Sequence, residues 1–251
     1  MTAFFRHSIL VLYLFLSACM QKPEMTLSRL LDNHAEARGG YETLQAIQTM
    51  DVKLEIVEPD FTVTGHYRAS RDGVMRVDIF VGNTRVFTEA LGRNGGWQMS
   101  GDGTVKDLSP EGAAKLQRGI ISNLYSLNEL PSLGYKLTLV GSTQRNGSEF
   151  WEVEKRHPDG FSENLFLDKD TFLITSSVKT SALHPDIDNA QVREETITLE
   201  HQTVAGVVYD GKSEKRNLDT GAIMQTTTVL SRVPNTSLDL TQFERPMASD
   251  D

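Results

Sequence analysis

From Met50 onward apolar and polar residues alternate, and a period of two describes extended strands with one buried and one wetted face. Val52, Leu54 and Ile56 alternate with Lys53 and Glu55. Phe61, Val63, Gly65 and Tyr67 alternate with Thr62, Thr64, His66 and Arg68. Met75, Val77, Ile79 and Val81 alternate with Arg76 and Asp78. Less regular strand-like runs follow at 84–91, 135–141, 149–156, 161–168, 171–179, 192–201 and 222–232. Turn signals stand between the runs: Asn94-Gly95-Gly96, Gly101-Asp102-Gly103, Arg145-Asn146-Gly147, Pro158-Asp159-Gly160, Asp210-Gly211 and Asp219-Thr220-Gly221. Many short strands joined by tight turns predict a mainly β protein, an antiparallel meander closed or partly closed into a barrel.

Helical spacing occurs in two places. Thr26 is placed to cap a helix through Arg38, with Leu27, Leu30, Leu31 and Ala35 on neighbouring faces; Gly39-Gly40 ends it and a short turn over 41–47 follows. These N-terminal helices occupy 26–48. Ser109, Pro110 and Glu111 open an inserted helix over 109–125, with Ala113, Leu116, Ile120, Ile121 and Leu124 at helical spacing. Leu127, Leu130 and Leu133 carry the apolar content into a loop around Pro131. Two roles are open to the inserted helix. It packs on the outside of the sheet, or it plugs a concave sheet and is displaced by a ligand.

The first residues follow another logic. Arg6 and His7 precede an apolar stretch over 9–16, and small residues follow it, the layout of a secretory signal peptide. The stretch is too short to span a bilayer, which takes about 20 apolar residues. Leu16-Ser17-Ala18-Cys19 resembles the lipobox of bacterial lipoproteins, in which the cysteine thiol receives a diacylglyceryl group before cleavage. The expected layout is a signal peptide over 1–18, a tether over 19–25, a single folded domain over 26–246 and an acidic tail over 247–251. Lipidation of Cys19 anchors the chain in a membrane, each buried methylene contributing about 0.8 kcal/mol. Cys19 is the only cysteine, so the folded part has no internal disulfide. At ~3.6 Å per residue the tether reaches at most about 25 Å. Met20 stands where an aspartate would resemble the enterobacterial signal for inner-membrane retention. Its identity favours the outer membrane, facing the periplasm.

Charge narrows the partners. The full chain carries −9, and residues 1–18 contain Arg6 and no acid, so the remainder carries −10. A surface of that sign disfavours nucleic acid and anionic lipid headgroups as main partners.

Four pieces, in order, resemble the outer-membrane lipoprotein-sorting proteins, whose fold is shared by the periplasmic carrier LolA and its receptor LolB. The first is Leu31-Asp32-Asn33-His34-Ala35-Glu36-Ala37-Arg38-Gly39-Gly40-Tyr41, with Leu44 and Ile47 after it. The second is Asn94-Gly95-Gly96-Trp97. The third is Leu165-Phe166-Leu167-Asp168-Lys169-Asp170-Thr171-Phe172-Leu173-Ile174. The last is Val204-Ala205-Gly206-Val207, with Phe243-Glu244-Arg245-Pro246 closing the domain. The resemblance implies a half-open antiparallel β-barrel of about 10–12 strands, with helices covering its concave side over a cavity for acyl chains of lipoproteins or other lipids. No residue stands out as the carrier's lid-locking arginine or the receptor's exposed apolar loop tip. An anchored body cannot shuttle across the periplasm, so the expected role is local, as an acceptor or inserter.

Catalytic patterns do not emerge. The chain has no Gly-x-Ser-x-Gly elbow, no His-Glu-x-x-His and no Gly-x-x-x-x-Gly-Lys loop. His34, His66, His157, His184 and His201 are scattered, and Asp186-Ile187-Asp188 lacks the longer ligand set of a calcium loop. Asn146-Gly147-Ser148 and Asn235-Thr236-Ser237 read as turns. No enzyme activity, cofactor or metal is expected. The positive chemistry is apolar: Met75, Val77, Ile79, Phe80, Phe87, Trp97, Leu116, Ile120, Leu124 and Tyr125 either line a ligand cavity between sheet and helix or fill an ordinary core. The expected function is binding of a hydrophobic ligand, lipid or lipoprotein. The alternative is a non-catalytic regulatory or scaffolding lipoprotein gripping an envelope protein partner, which an exposed apolar loop at 127–133 would favour.

Overall fold

In a computed structural model, which describes residues 24–246, thirteen strands form one antiparallel sheet, curved and not closed. The signal peptide, Cys19 and the acidic tail lie outside the described residues. A first meander comprises β1 (Thr49–Glu58), β2 (Phe61–Ser70), β3 (Val74–Val81), β4 (Thr84–Gly92), β5 (Gly95–Ser100) and β6 (Val105–Asp107). The second comprises β7 (Lys136–Arg145), β8 (Ser148–Arg156), β9 (Ser162–Asp168), β10 (Ile174–Ser181), β11 (Val192–Val204), β12 (Val207–Asn217) and β13 (Ile223–Pro234). The strand order is β6-β5-β4-β3-β2-β1-β13-β12-β11-β10-β9-β8-β7. The chain thus runs from the middle to one edge, crosses to the other edge, and returns to the middle. There the last strand pairs with the first, Met50 opposite Pro234 and Val57 opposite Thr226.

Thirteen strands exceed the expected 10–12 because β6 is very short and β12 is polar. Asp210-Gly211, expected as a turn, lies inside β12: His201 pairs with Asp210 and Glu200 with Lys212, so Gly211 sits at a bulge. The turn falls instead at Ala205 and Gly206, with φ of 50° and 80°, the left-handed pair that a tight hairpin needs.

The helices form where their caps stand. Thr26 accepts a hydrogen bond from the Arg29 amide at the start of α1 (Leu27–Ala37), and α2 (Tyr41–Gln45) follows. The Ser109 hydroxyl accepts from the Gly112 amide, with Pro110 opening α3 (Pro110–Leu124). Gly39, at φ 119°, is fixed by a close approach: a Cβ there would stand 2.0 Å from the Gly206 carbonyl oxygen.

The sheet curls around α3. One side of that helix, Leu116, Ile120 and Leu124, packs on Met50, Val52, Tyr67, Ala69 and Met75 of the first meander. Ile121 belongs to a second core with Leu30 and Leu31 of α1 and Val153, Leu165 and Leu167 of the second meander. The helix therefore fills the concave side. The outer face of the first meander is covered by the chain after β13: the Trp97 indole N–H donates to the Phe243 carbonyl at 2.8 Å. Arg76 donates to the Gln242 carbonyl beside it.

Candidate functional site

The inward positions of the two meanders carry different chemistry. In the first, Met75 faces Leu91 and Ala69, Val77 faces Tyr67, and Ile79 faces Phe87 and Gly65. With α3 they make a packed interior. Of the residues expected to line a cavity, Met75, Leu116 and Tyr125 reach the wall of one, and Leu124 borders a void of about 10 Å³. Val77 and Ile120 are packed into the core, and Ile79 and Phe87 are half-buried on the same face. Trp97 lies on the other face of the sheet, because its register partner is Ala90 and its neighbours are Met99 and Val105.

The open volume lies under the second meander, as two adjoining cavities that share Ser122 and Glu163. One, of about 200 Å³, has apolar walls of Ile121, Leu127, Leu130, Leu165, Leu173 and Ile174, with His34, Arg38, Tyr209, Asp210 and Arg232 on one polar side and Lys155 and Glu163 on another. The other, of about 240 Å³, is charged.

The charged floor is a ladder across strands. Lys155 on β8 faces Glu163 on β9, which faces Lys179 on β10, which faces Glu194 on β11. Lys155 Nζ lies 2.6 Å from Glu163 and Lys179 Nζ 3.6 Å from Glu194. On β12 the row ends at Asn217, the register partner of Glu194. Lys215 lies two residues along, opposite Thr196 and Gln225, at the wall of the charged cavity. The Gln225 amide donates to Glu58. Burial acts to raise the Glu163 carboxyl, but Lys155, the His157 hydrogen bond and Lys179 outweigh it and hold it far below the usual range. Burial pushes Lys215 down to about 8 despite the nearby Glu194. Glu194 is 1% exposed, and its Oε2 has no hydrogen-bond partner.

The lid over these cavities is fixed at both ends. At the start of α3, the Ser109 amide donates to Asp186 Oδ1 at 2.7 Å, from the loop between β10 and β11. At its end, Arg71 donates to the carbonyl oxygens of Leu124 and Ile47 and pairs with Glu129. Residues 127–133 form a 3-10 helix that buries Leu127 and Leu130 and exposes Leu133. Of the three leucines whose exposure would favour a protein partner, Leu133 alone is exposed. Asp186 and Asp188 are occupied by backbone amides. Among the described residues no three His, Cys, Asp or Glu side chains gather as a metal site.

The polar residues of the channel escape sequence reasoning because it assumes apolar inward faces. β10, Ile174–Ser181, has almost no apolar stripe, and that lack was the available signal.

No family model and no curated protein matches the chain. Solved structures do. A LolA superfamily protein from Nitrosomonas europaea aligns with TM-score 0.58 at 12% identity, over 88% of this chain and 98% of its own. A DUF1329 family protein from Desulfovibrio piger aligns with TM-score 0.57 at 13% identity, over 86% and 96%. An outer membrane lipoprotein-sorting protein domain from Vibrio parahaemolyticus aligns with TM-score 0.57 at 12% identity, over 85% and 95%. The fold is LolA-like.

Proposed function

We propose that this protein binds a hydrophobic ligand, a lipid or the acyl chains of a lipoprotein, in the channel under α3, and that it does so anchored in the bacterial cell envelope through an acylated Cys19. It acts as a binding protein rather than an enzyme. The observation that carries the reading is the cavity of about 200 Å³, with an apolar wall, between the second meander and a lid of helices. Burying an acyl chain there contributes about 25 cal/mol per Å² and demands little polar specificity. Each cavity alone is smaller than the roughly 300–1,000 Å³ of an ordinary ligand pocket. A long chain therefore occupies both, or displaces part of the lid. The lipoprotein-sorting name of one protein of like fold supports the same class of ligand. The lipobox-like Leu16-Ser17-Ala18-Cys19 supports the anchor, and Met20 an outer-membrane location facing the periplasm.

The test is mass spectrometry of organic extracts from the polypeptide starting at residue 19, with Cys19→Ser, purified without detergent from a bacterial envelope. A stoichiometric acyl species, lost in Ile174→Glu, is expected. A clean apoprotein overturns the reading. For the anchor, Cys19→Ser in the full chain moves the protein from membranes to the soluble fraction. Retention on membranes at high salt would count against acylation.

A further inference from the structure

We infer that the ligand carries an anionic group, carboxylate or phosphate, and that Arg38 and Arg232, both beside the Tyr209 ring at one cavity, form the subsite that receives it. This rests on the channel reading above and adds the chemistry of the ligand's polar end.

The two arginines come from distant parts of the chain. Arg38 caps the C-terminus of α1, and Arg232 sits in β13 opposite Val52. Their guanidinium carbons lie 5.6 and 4.4 Å from the centre of the Tyr209 ring. Each gives a hydrogen bond to a backbone carbonyl: Arg38 Nε to Val208 at 3.1 Å and Arg232 Nη2 to Asp210 at 3.2 Å. Among the described residues, neither is within 4.0 Å of a carboxylate. The side chain of Asp210 accepts from the Thr198 hydroxyl at 3.1 Å and stands 3.8 Å from His201.

Two like charges that line one cavity, offset by Asp210 only beyond ion-pair distance, repel each other and lose hydration. The burial of both guanidinium groups acts the same way, lowering their affinity for the proton. Tyr209 Oη, Arg232 Nε and His34 Nε2 are buried with no hydrogen-bond partner, at a cavity that all three residues line. Unsatisfied donors, paired cations and an adjoining apolar wall are what an anionic amphiphile would satisfy together. Guanidinium forks match carboxylate and phosphate oxygens in particular. His34 has Nδ1 bound to the Phe172 carbonyl at 2.8 Å, so its Nε2 is an acceptor and suits an O–H or N–H next to the anion. The acidity of the whole chain acts on extended surfaces, whereas inside the channel the nearest groups decide.

The test compares dodecanoate, dodecyl phosphate and dodecanol, titrated by calorimetry into the polypeptide from residue 19 on carrying Cys19→Ser. At least one anion is expected to bind tenfold or more tighter than dodecanol, and the tighter of the two names the group. Arg232→Gln abolishes that preference, the two anions then binding no tighter than dodecanol. Arg232→Lys, which keeps the charge without the fork, retains part of it. Equal binding of all three compounds, or a preference intact in Arg232→Gln, overturns the anion subsite while leaving the channel standing. Binding of none of the three overturns the channel reading as well.

Discussion

The first and second meanders share one sheet and one strand period, yet their inward faces differ in kind. Strands β1–β3 turn Met50, Val52, Tyr67, Ala69 and Met75 against α3, and their outer face is tied down as well. There Asp78 binds Arg68, Arg76 and Thr88, while Trp97 is covered by the Phe243 segment. Strands β8–β12 turn Lys155, Glu163, Lys179, Glu194 and Lys215 inward and leave two cavities. A wall packed on both faces is a scaffold, since native packing leaves no room for a ligand. A wall held by charges at a cavity keeps volume open. On the proposed function, one half of the sheet is the scaffold and the other meets the ligand.

The largest expected effects test whether each half stands on its own kind of interaction. Glu163→Gln removes the carboxylate between Lys155 and His157 and leaves a buried lysine uncompensated, for which a cost of about 3–5 kcal/mol in urea unfolding is expected. Pairing it with Lys155→Met should recover most of that loss. In the first half, Leu116→Ala should cost about 2–5 kcal/mol through the cavity it opens, with no charge partner able to rescue it. Should the double variant be no better than Glu163→Gln alone, the ladder is not an ionic unit.

The same contrast explains what could be read from the residues. The first meander was legible because Val52-Lys53-Leu54-Glu55-Ile56 and its neighbours put apolar groups on one face. The caps Thr26 and Ser109-Pro110 marked their helices. β12 was hidden because Lys212, Ser213, Glu214, Lys215 and Arg216 show no apolar period, and Gly211 in its bulge looked like a turn. The channel escaped for the same reason. Its floor consists of residues that pattern reasoning sends to solvent, and their pairing depends on the register between consecutive strands, as with Lys179 and Glu194, which the period along a single strand does not give. Apolar residues were named as cavity lining, yet a good packing partner such as Ile120 closes space rather than lining it.

A smaller effect probes the polar side of the channel by pH. Burial, then the neighbouring Arg38, lowers His34 from 6.5 to about 4. The folded state binds fewer protons than the unfolded chain in that window. Stability is thus full above about pH 6.5 and falls as the pH drops toward 4, by on the order of 3 kcal/mol if the whole shift is realised. His34→Asn should flatten the stability profile between those values relative to the parent. A profile unchanged by the substitution would mean that His34 takes up its proton in the folded state as easily as in water.

The smallest effect concerns the lid itself. Gly112 has no side chain because a Cβ there would stand 1.9 Å from Asp186 Oδ2, so the glycine admits the carboxylate to the first turn of α3. Loss of such a cap in Asp186→Ala should cost about 1 kcal/mol. The global cost is small because Arg71 still holds the other end of the helix. The local consequence is larger: if α3 covers the ligand, releasing its first turn speeds amide hydrogen exchange at 112–116 and leaves the amides of β1–β3 unchanged. Gly112→Ala, which expels the same carboxylate by a clash, should reproduce that pattern. Faster exchange across β1–β3 in either variant would mean that α3 belongs to the scaffold, and that the division between the two halves lies elsewhere.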